Sequence, residues 1–247
     1  MEHSVKPHRI SIPKYTLGEE LMNSITHGVG ALLGIAALVL CIVKSCMPFD
    51  GYKLASSIVF GITTTLLYLM SCLYHALKVN RAKRVFRVMD HCTIFLLIAG
   101  TYTPYTLITL RGVTGWVLFG VVWGVGILGI VLNAVSLKRF AKMSVACYLA
   151  MGWAVLFASK QLIAALASGG LWLLLAGGIA YTLGAVLYAI GSKKRYFHSI
   201  FHFFCLFGTV LHFFSIYLYV LCWRLICIKM FFGRQKSANS THCWKSS

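Results

Sequence analysis

Seven apolar runs, each long enough to cross a lipid bilayer, constrain the fold of this chain more than any other feature. An α-helix needs about 20 predominantly apolar residues to span the hydrocarbon core. Of the 247 residues, 59% are hydrophobic and only 11% are charged, which excludes an ordinary soluble domain. We therefore predict an all-α membrane protein, a seven-transmembrane helix bundle. The predicted spans are Ser24–Val43, Leu54–Leu77, Cys92–Leu110, Gly115–Val135, Met143–Ala165, Leu171–Ile190 and Ile200–Val220.

The net charge of +18 is distributed unevenly among the connections between these runs. Basic residues concentrate in Lys78–Arg87, Lys138–Lys142 and Lys193–Arg195, whereas the alternate connections hold few. Because the cytoplasmic loops of membrane proteins carry the excess of Lys and Arg, this asymmetry predicts an N-terminus inside and a C-terminus outside. It also explains the positive charge without a nucleic acid, so we expect membrane lipid as a partner and no nucleic acid.

The runs divide the chain into three parts. We predict a cytoplasmic N-terminal tail (1–19), a seven-transmembrane domain (20–220) and a basic C-terminal tail (221–247) to which we assign no role. Five basic residues in the last tail are unexpected on the outer side. Leu221–Phe232 could lie in the membrane interface as an amphipathic segment, or the tail could be an extension foreign to the core fold. Nine cysteines, without a C-x-x-C pair, predict neither a disulfide framework nor a thiolate metal site.

Four ionisable residues fall at similar depth near one face of the predicted bundle: His75, Asp90, His198 and His202. Ionisable groups inside a membrane are costly, which makes them candidates for function. His198 and His202 are spaced i, i+4 and lie on the same face of a helix, about 6 Å apart along its axis. With His75 as a third nitrogen ligand, the set predicts a zinc site that leaves one position for water. The alternative for the pair is two polar residues at a helix mouth.

Asp90 and Ser71 are the predicted catalytic residues beside this metal. Asp90 could accept a hydrogen bond from a zinc-bound water and act as general base, or it could form a salt bridge with Arg84 or Arg87, or cap the third span. Ser71 lies one helical turn before His75 and could orient the water or a ligand. The alternative for Ser71 is a hydrogen bond to a carbonyl of its own helix.

Other polar residues near the ends of the spans have simpler interpretations. Asn23 or Thr26 could cap the first helix. His27 could be a fourth ligand, although a packed, hydrogen-bonded histidine is the simpler hypothesis. His91 and His212 are interpreted as structural, since His212 lies about 15 Å along the helix from His202 and cannot share one ion with it.

Five motifs in order along the chain carry a resemblance to a known family. They are E-L-M-N-S-I-T-H (Glu20–His27), S-C-L-Y-H (Ser71–His75), M-D-H (Met89–His91), G-T-Y-T-P-Y (Gly100–Tyr105) and H-S-I-F-H (His198–His202). From Tyr15 to Val220 the chain resembles the hemolysin III family of bacterial membrane proteins, which is related to the progestin and adipoQ receptors and, more distantly, to alkaline ceramidases.

The resemblance implies seven transmembrane helices, an intracellular N-terminus and a zinc site near the cytoplasmic face. It implies His75, His198 and His202 as ligands, Asp90 holding the zinc-bound water, and Ser71 behind the ligands. We expect a multi-pass protein of the cell membrane, and as leading hypothesis a ceramidase-like zinc hydrolase of a lipid amide or ester. The alternatives are a pore-forming, cytolytic protein and a receptor-like regulator with structural zinc.

Overall fold

The computed structural model describes residues 12–191 and 194–222, and their regular structure is helical. Its α-helices are α1 (Leu17–Ser45), α2 (Gly51–Ala76), α3 (Arg81–Pro104), α4 (Val113–Trp153), α5 (Ser159–Ala165), α6 (Ser168–Gly191) and α7 (Phe197–Ser215). A π-helical turn follows α3 (Tyr105–Thr109) and another follows α7 (Ile216–Val220), while a 3-10 turn (Ala154–Ala158) joins α4 to α5. Six helical segments of the described chain are long and apolar enough to cross a membrane, which confirms the all-α membrane class.

The predicted fourth and fifth runs fall together in one helical segment of 53 residues, Val113–Ala165. A straight helix of that length would measure about 80 Å, more than twice the hydrocarbon core. At Ser136 the backbone leaves helical geometry, with φ −163° and ψ 99°. Two hydrogen bonds join the residues on either side of this bend: Asn133 Nδ2 donates to the Tyr148 hydroxyl at 3.3 Å, and Ser144 Oγ donates to Asn133 Oδ1 at 2.6 Å. Because a straight helix would hold residues 133 and 148 about 22 Å apart, residues 113–135 and 137–165 must fold back on each other.

Polar and small residues face the interior of the bundle, while large apolar side chains such as Leu32, Val117 and Trp172 face outward. This distribution suits a lipid surrounding, in which backbone and side-chain polar groups must find partners inside the protein. Glycines allow the closest helix contacts: a β-carbon at Gly61 would lie 2.5 Å from the Leu38 Cβ atom. Close packing therefore fixes α2 against α1 and, with it, the end of the bundle at which α2 stops.

Local caps set where the helices begin, and they correct three expectations. Thr16 caps α1 in a reciprocal capping box with Glu19, so the helix starts at Leu17 and neither Asn23 nor Thr26 is its cap. Asn80 caps α3 by accepting from the Lys83 amide, so Asp90 is not a cap either.

Two predicted basic connections are largely helical. Residues 81–87 form the first two turns of α3, because Asn80 starts the helix before the apolar run begins. Residues 137–142 belong to the helix after the bend at Ser136. Of the third basic connection, Lys193 lies outside the described residues, as does the tail beyond Cys222 with Cys227 and Cys243. The described cysteines are all free.

Candidate metal centre

Four helix ends meet at one end of the bundle and bring the polar side chains together. His75 is the penultimate residue of α2, and His198 and His202 lie in the first two turns of α7. Glu20 lies in the first turns of α1. Asp90 lies about 14 Å along α3 from its first residue, deeper than expected, because the basic segment before it is helical.

Three imidazole rings converge at this end. The Nε2 atoms of His75 and His198 lie 3.4 Å apart, and those of His198 and His202 lie 3.1 Å apart. All three ligand atoms fall within 4.8 Å of one another. Two nitrogens bound to one ion at about 2.0–2.1 Å in tetrahedral geometry are separated by about 3.3–3.4 Å. The three histidines singled out from the sequence can therefore hold a single metal ion, and His75 and His202 are buried while His198 is partly exposed.

The orientation of the His75 ring is fixed by α1. His75 Nδ1 lies 2.6 Å from Glu20 Oε2 and 3.4 Å from Asn23 Nδ2. The shorter contact decides the tautomer: Nδ1–H donates to the carboxylate, which leaves the lone pair of Nε2 directed at the other two histidines. The Nδ1 atoms of His198 and His202 are buried and have no hydrogen-bond partner within the described chain.

Aromatic stacking positions the other two rings. His198 stacks on Tyr15, with centroids 5.0 Å apart and planes at 16°. His202 stacks on His27, with centroids 3.7 Å apart and planes at 17°. Tyr15 lies just before α1, and burial raises the pKa of its phenol well above the ordinary value, so the hydroxyl is neutral. His27 is thus packed as expected and does not belong to the three-histidine group, but neither of its ring nitrogens has a hydrogen-bond partner among the described residues, so the expected hydrogen bond is wrong.

Asp90 and Ser71 are both buried and both line a cavity that His198 and His202 also line. Asp90 is not among the side chains whose ligand atoms form the compact group. Ser71 Oγ has no hydrogen-bond partner in the described part of the chain, so the expected alternative of a bond to its own helix carbonyl is wrong. Ser71 therefore presents an unpartnered hydroxyl in the lining of the cavity.

The cavity has a volume of about 900 Å³ and is lined mainly by apolar and aromatic side chains of α3 to α7. Along α6 it is lined from Tyr188, near the histidines, to Trp172, near the opposite end of the helix. These two residues are separated by about 24 Å of helix rise. The cavity is therefore elongated, and His198 and His202 line the same end of it as Tyr188.

Several residues of this centre were not predicted. Glu20 and Asn23 lie one turn apart on the face of α1 that also carries His27, and this i, i+3, i+7 spacing was the signal that could have identified them. Lys83, whose Nζ atom donates to Glu20 Oε1 at 2.6 Å, carried no such signal within a basic segment. His212 does not belong to this centre. It was interpreted as structural, and its Nε2 atom lies 3.1 Å from the Leu174 carbonyl oxygen.

Comparison with known proteins confirms the resemblance found in the sequence. The sequence profile of the family described as "Haemolysin-III related" matches residues 15–213. The chain is 42% identical to "Hemolysin-3" of Bacillus cereus over 203 residues, which cover 82% of this chain and 92% of the relative. It is 40% identical to "Hemolysin-3 homolog" of Bacillus subtilis (strain 168) over 205 residues, which cover 83% and 96%. No solved structure matches the chain significantly. This multi-pass membrane protein belongs to the haemolysin III-related family.

Proposed function

We propose that the protein is a zinc-dependent hydrolase of a membrane lipid amide or ester, with His75, His198 and His202 as the zinc ligands. The observation that carries the proposal is the convergence of three imidazole nitrogens, two of whose rings, His198 and His202, line a mainly apolar cavity of about 900 Å³. Ligand pockets of about 300–1,000 Å³ with apolar walls and few polar groups are typical of small-molecule sites. A lipid chain fits the walls, and its polar linkage would lie at the histidines.

The donor set favours zinc over the harder cations. Imidazole nitrogen is a preferred zinc ligand, whereas magnesium and calcium prefer oxygen. Catalytic zinc sites characteristically have three protein ligands and keep one position open. When bound there, zinc would supply Lewis acidity and lower the pKa of water at that position.

The remaining polar residues have assignable tasks. The Asp90 carboxylate accepts a proton from the attacking water and returns it to the leaving amine or alcohol. The Ser71 hydroxyl, which lacks a protein partner among the described residues, donates a hydrogen bond to the water or to the lipid carbonyl. The ring of Tyr15 covers His198 and limits the entry of bulk water from the end of the bundle.

The proposal includes seven spans with the N-terminus inside. The fold-back at Ser136 supports the count, because it turns the 53-residue segment into two lengths that each suffice to cross a bilayer. The excess of Lys and Arg at the end of the bundle that holds the histidines supports the orientation. On this topology the metal centre lies near the cytoplasmic face.

The test combines metal content with turnover. Protein purified in detergent should contain one zinc per chain and should cleave at least one member of a panel of ceramides, N-acyl amides and lipid esters. Removal of zinc with a chelator should abolish turnover, and added zinc should restore it. Purified wild-type protein that holds no zinc would contradict the metal site. Zinc-loaded protein that cleaves nothing in the panel would favour a structural zinc in a receptor-like regulator.

A lytic function is the second candidate, because one relative is named "Hemolysin-3" and another its homolog. It predicts leakage of a small dye from liposomes that contain the purified protein. Leakage in wild type and in His202→Ala alike would favour a pore that does not need the metal. Turnover without leakage would favour the hydrolase.

A further inference from the structure

We propose that Glu20 is a positioning residue for the metal ligand His75 and that Lys83 holds Glu20 in place. This role rests on the proposed metal site. Three helices contribute one residue each: Glu20 from α1, His75 from α2 and Lys83 from α3. The three side chains form a continuous hydrogen-bonded chain that ends at the ligand.

The contacts are short and each carboxylate oxygen has its own partner. Glu20 Oε2 lies 2.6 Å from His75 Nδ1, and Glu20 Oε1 accepts from Lys83 Nζ at 2.6 Å. Lys83 Nζ also donates to the carbonyl oxygen of Leu77, directly after α2, at 3.0 Å. The amine therefore ties the carboxylate to the backbone segment that ends the helix of His75.

Lys83 differs from the other basic residues around it. Lys78 and Arg81 are exposed, whereas Lys83 is only 2% exposed and its Nζ atom lies 5.2 Å from the centroid of the Tyr74 ring. The Lys83 amine is buried while the Glu20 side chain is 18% exposed, and an ion pair with a buried charge seldom adds much net stability, because that charge loses its hydration. Such a pair is therefore poorly explained as a stabilising device and well explained by the orientation of a ligand.

The consequence for the site is a single fixed geometry for His75. A ligating histidine commonly donates its second nitrogen to a carboxylate, which fixes the tautomer and the ring orientation. Within the described chain only His75 of the three histidines has such a partner, because the Nδ1 atoms of His198 and His202 have none. Glu20 thus fixes the orientation of His75 on α2 before the metal binds. His198 and His202 on α7 complete the set of ligands.

The experiment measures the affinity of the purified full-length protein for Zn²⁺ by competition with a chelator, and the visible spectrum after loading with Co²⁺. Glu20→Gln and Lys83→Met should each weaken Zn²⁺ binding, the first by about 10- to 100-fold. Both should shift the Co²⁺ ligand-field bands, because the orientation of one ligand changes. Lys83→Arg, which keeps the positive charge and hydrogen-bond donors, should retain most of the wild-type affinity for Zn²⁺, unlike Lys83→Met.

Two matched controls separate positioning from general charge effects. Glu19→Gln neutralises the adjacent carboxylate, which contacts Thr16 and the Tyr196 amide rather than His75. Lys78→Met removes an exposed positive charge from the same basic segment. Both should keep the wild-type affinity and the wild-type Co²⁺ spectrum.

The possible results distinguish a failure of the positioning role from a failure of the metal site. Glu20→Gln with wild-type affinity and spectrum overturns the positioning role while leaving the metal site intact. If Glu20→Gln is not recovered as a monodisperse protein, Lys83→Met with wild-type affinity and spectrum overturns it instead. A wild-type protein that binds neither Zn²⁺ nor Co²⁺ overturns the metal site and, with it, this role.

Discussion

Replacement of His202 by alanine is the sharpest test of the metal centre. The Nε2 atom of His202 lies 3.1 Å from that of His198, so its loss leaves two of the three converging nitrogens. Apparent binding free energies of four-ligand zinc sites are about 10–16 kcal/mol, or about 3 kcal/mol per ligand. One lost ligand should therefore weaken zinc binding on the order of 10²-fold.

The chain offers a matched control on the same helix. His212→Ala also removes a buried imidazole from α7, but that ring contacts the Leu174 carbonyl and lies outside the three-histidine group. Zinc content after dialysis and chelator competition measure both variants. The reasoning is refuted if His202→Ala keeps the wild-type zinc affinity, or if His212→Ala loses zinc to the same extent.

Three further predictions address catalysis, topology and folding. Asp90→Asn should retain zinc but lose lipid hydrolysis by a factor on the order of 10² or more, as loss of a general base does; parallel loss of metal and turnover would make Asp90 a ligand instead. The second prediction uses a variant from which the native cysteines have been removed and in which the exposed Lys138 is replaced by cysteine (Lys138→Cys). If the basic connections face the cytoplasm, this cysteine should not react with a membrane-impermeant thiol reagent in intact cells. Asn133→Leu should destabilise the protein by about 1–3 kcal/mol, because Ser144 and Tyr148 lose a buried partner, and thermal unfolding in detergent measures it.

Hydropathy predicted where the chain lies in the membrane better than where its helices begin. Apolar runs locate spans because a bilayer excludes charge, but they do not mark the polar turns that extend a helix into water. The capping box of Thr16 and Glu19 starts α1 seven residues before the first predicted span. In the same way Asn80 starts α3 in the basic segment. Both signals are local patterns of polar residues, which a hydropathy window averages away.

The three histidines could be predicted because their type, spacing and depth are properties of the sequence. Their neighbours could not, because the contacts of Lys83 and Tyr15 depend on how α1 and α3 pack. Lys83 is indistinguishable in sequence from the exposed Arg81 two residues earlier, yet it turns inward to Glu20. Tyr15 was placed in a tail, yet its ring stacks on His198. Tertiary packing alone decides which member of a basic segment or tail joins the site.

The surroundings of the three histidines support the proposed catalytic role of a metal over a structural one. Structural zinc sites are characteristically closed by four protein ligands, whereas the compact group here has three and adjoins a large cavity. A purely structural site would not need Ser71, whose buried hydroxyl lines that cavity without a partner in the described chain. Nor would it need an acid at Asp90, because a carboxylate that binds no metal is costly at this depth. An adjoining cavity, an unpartnered hydroxyl and a carboxylate in the lining of that cavity are consistent with the proposed hydrolytic role.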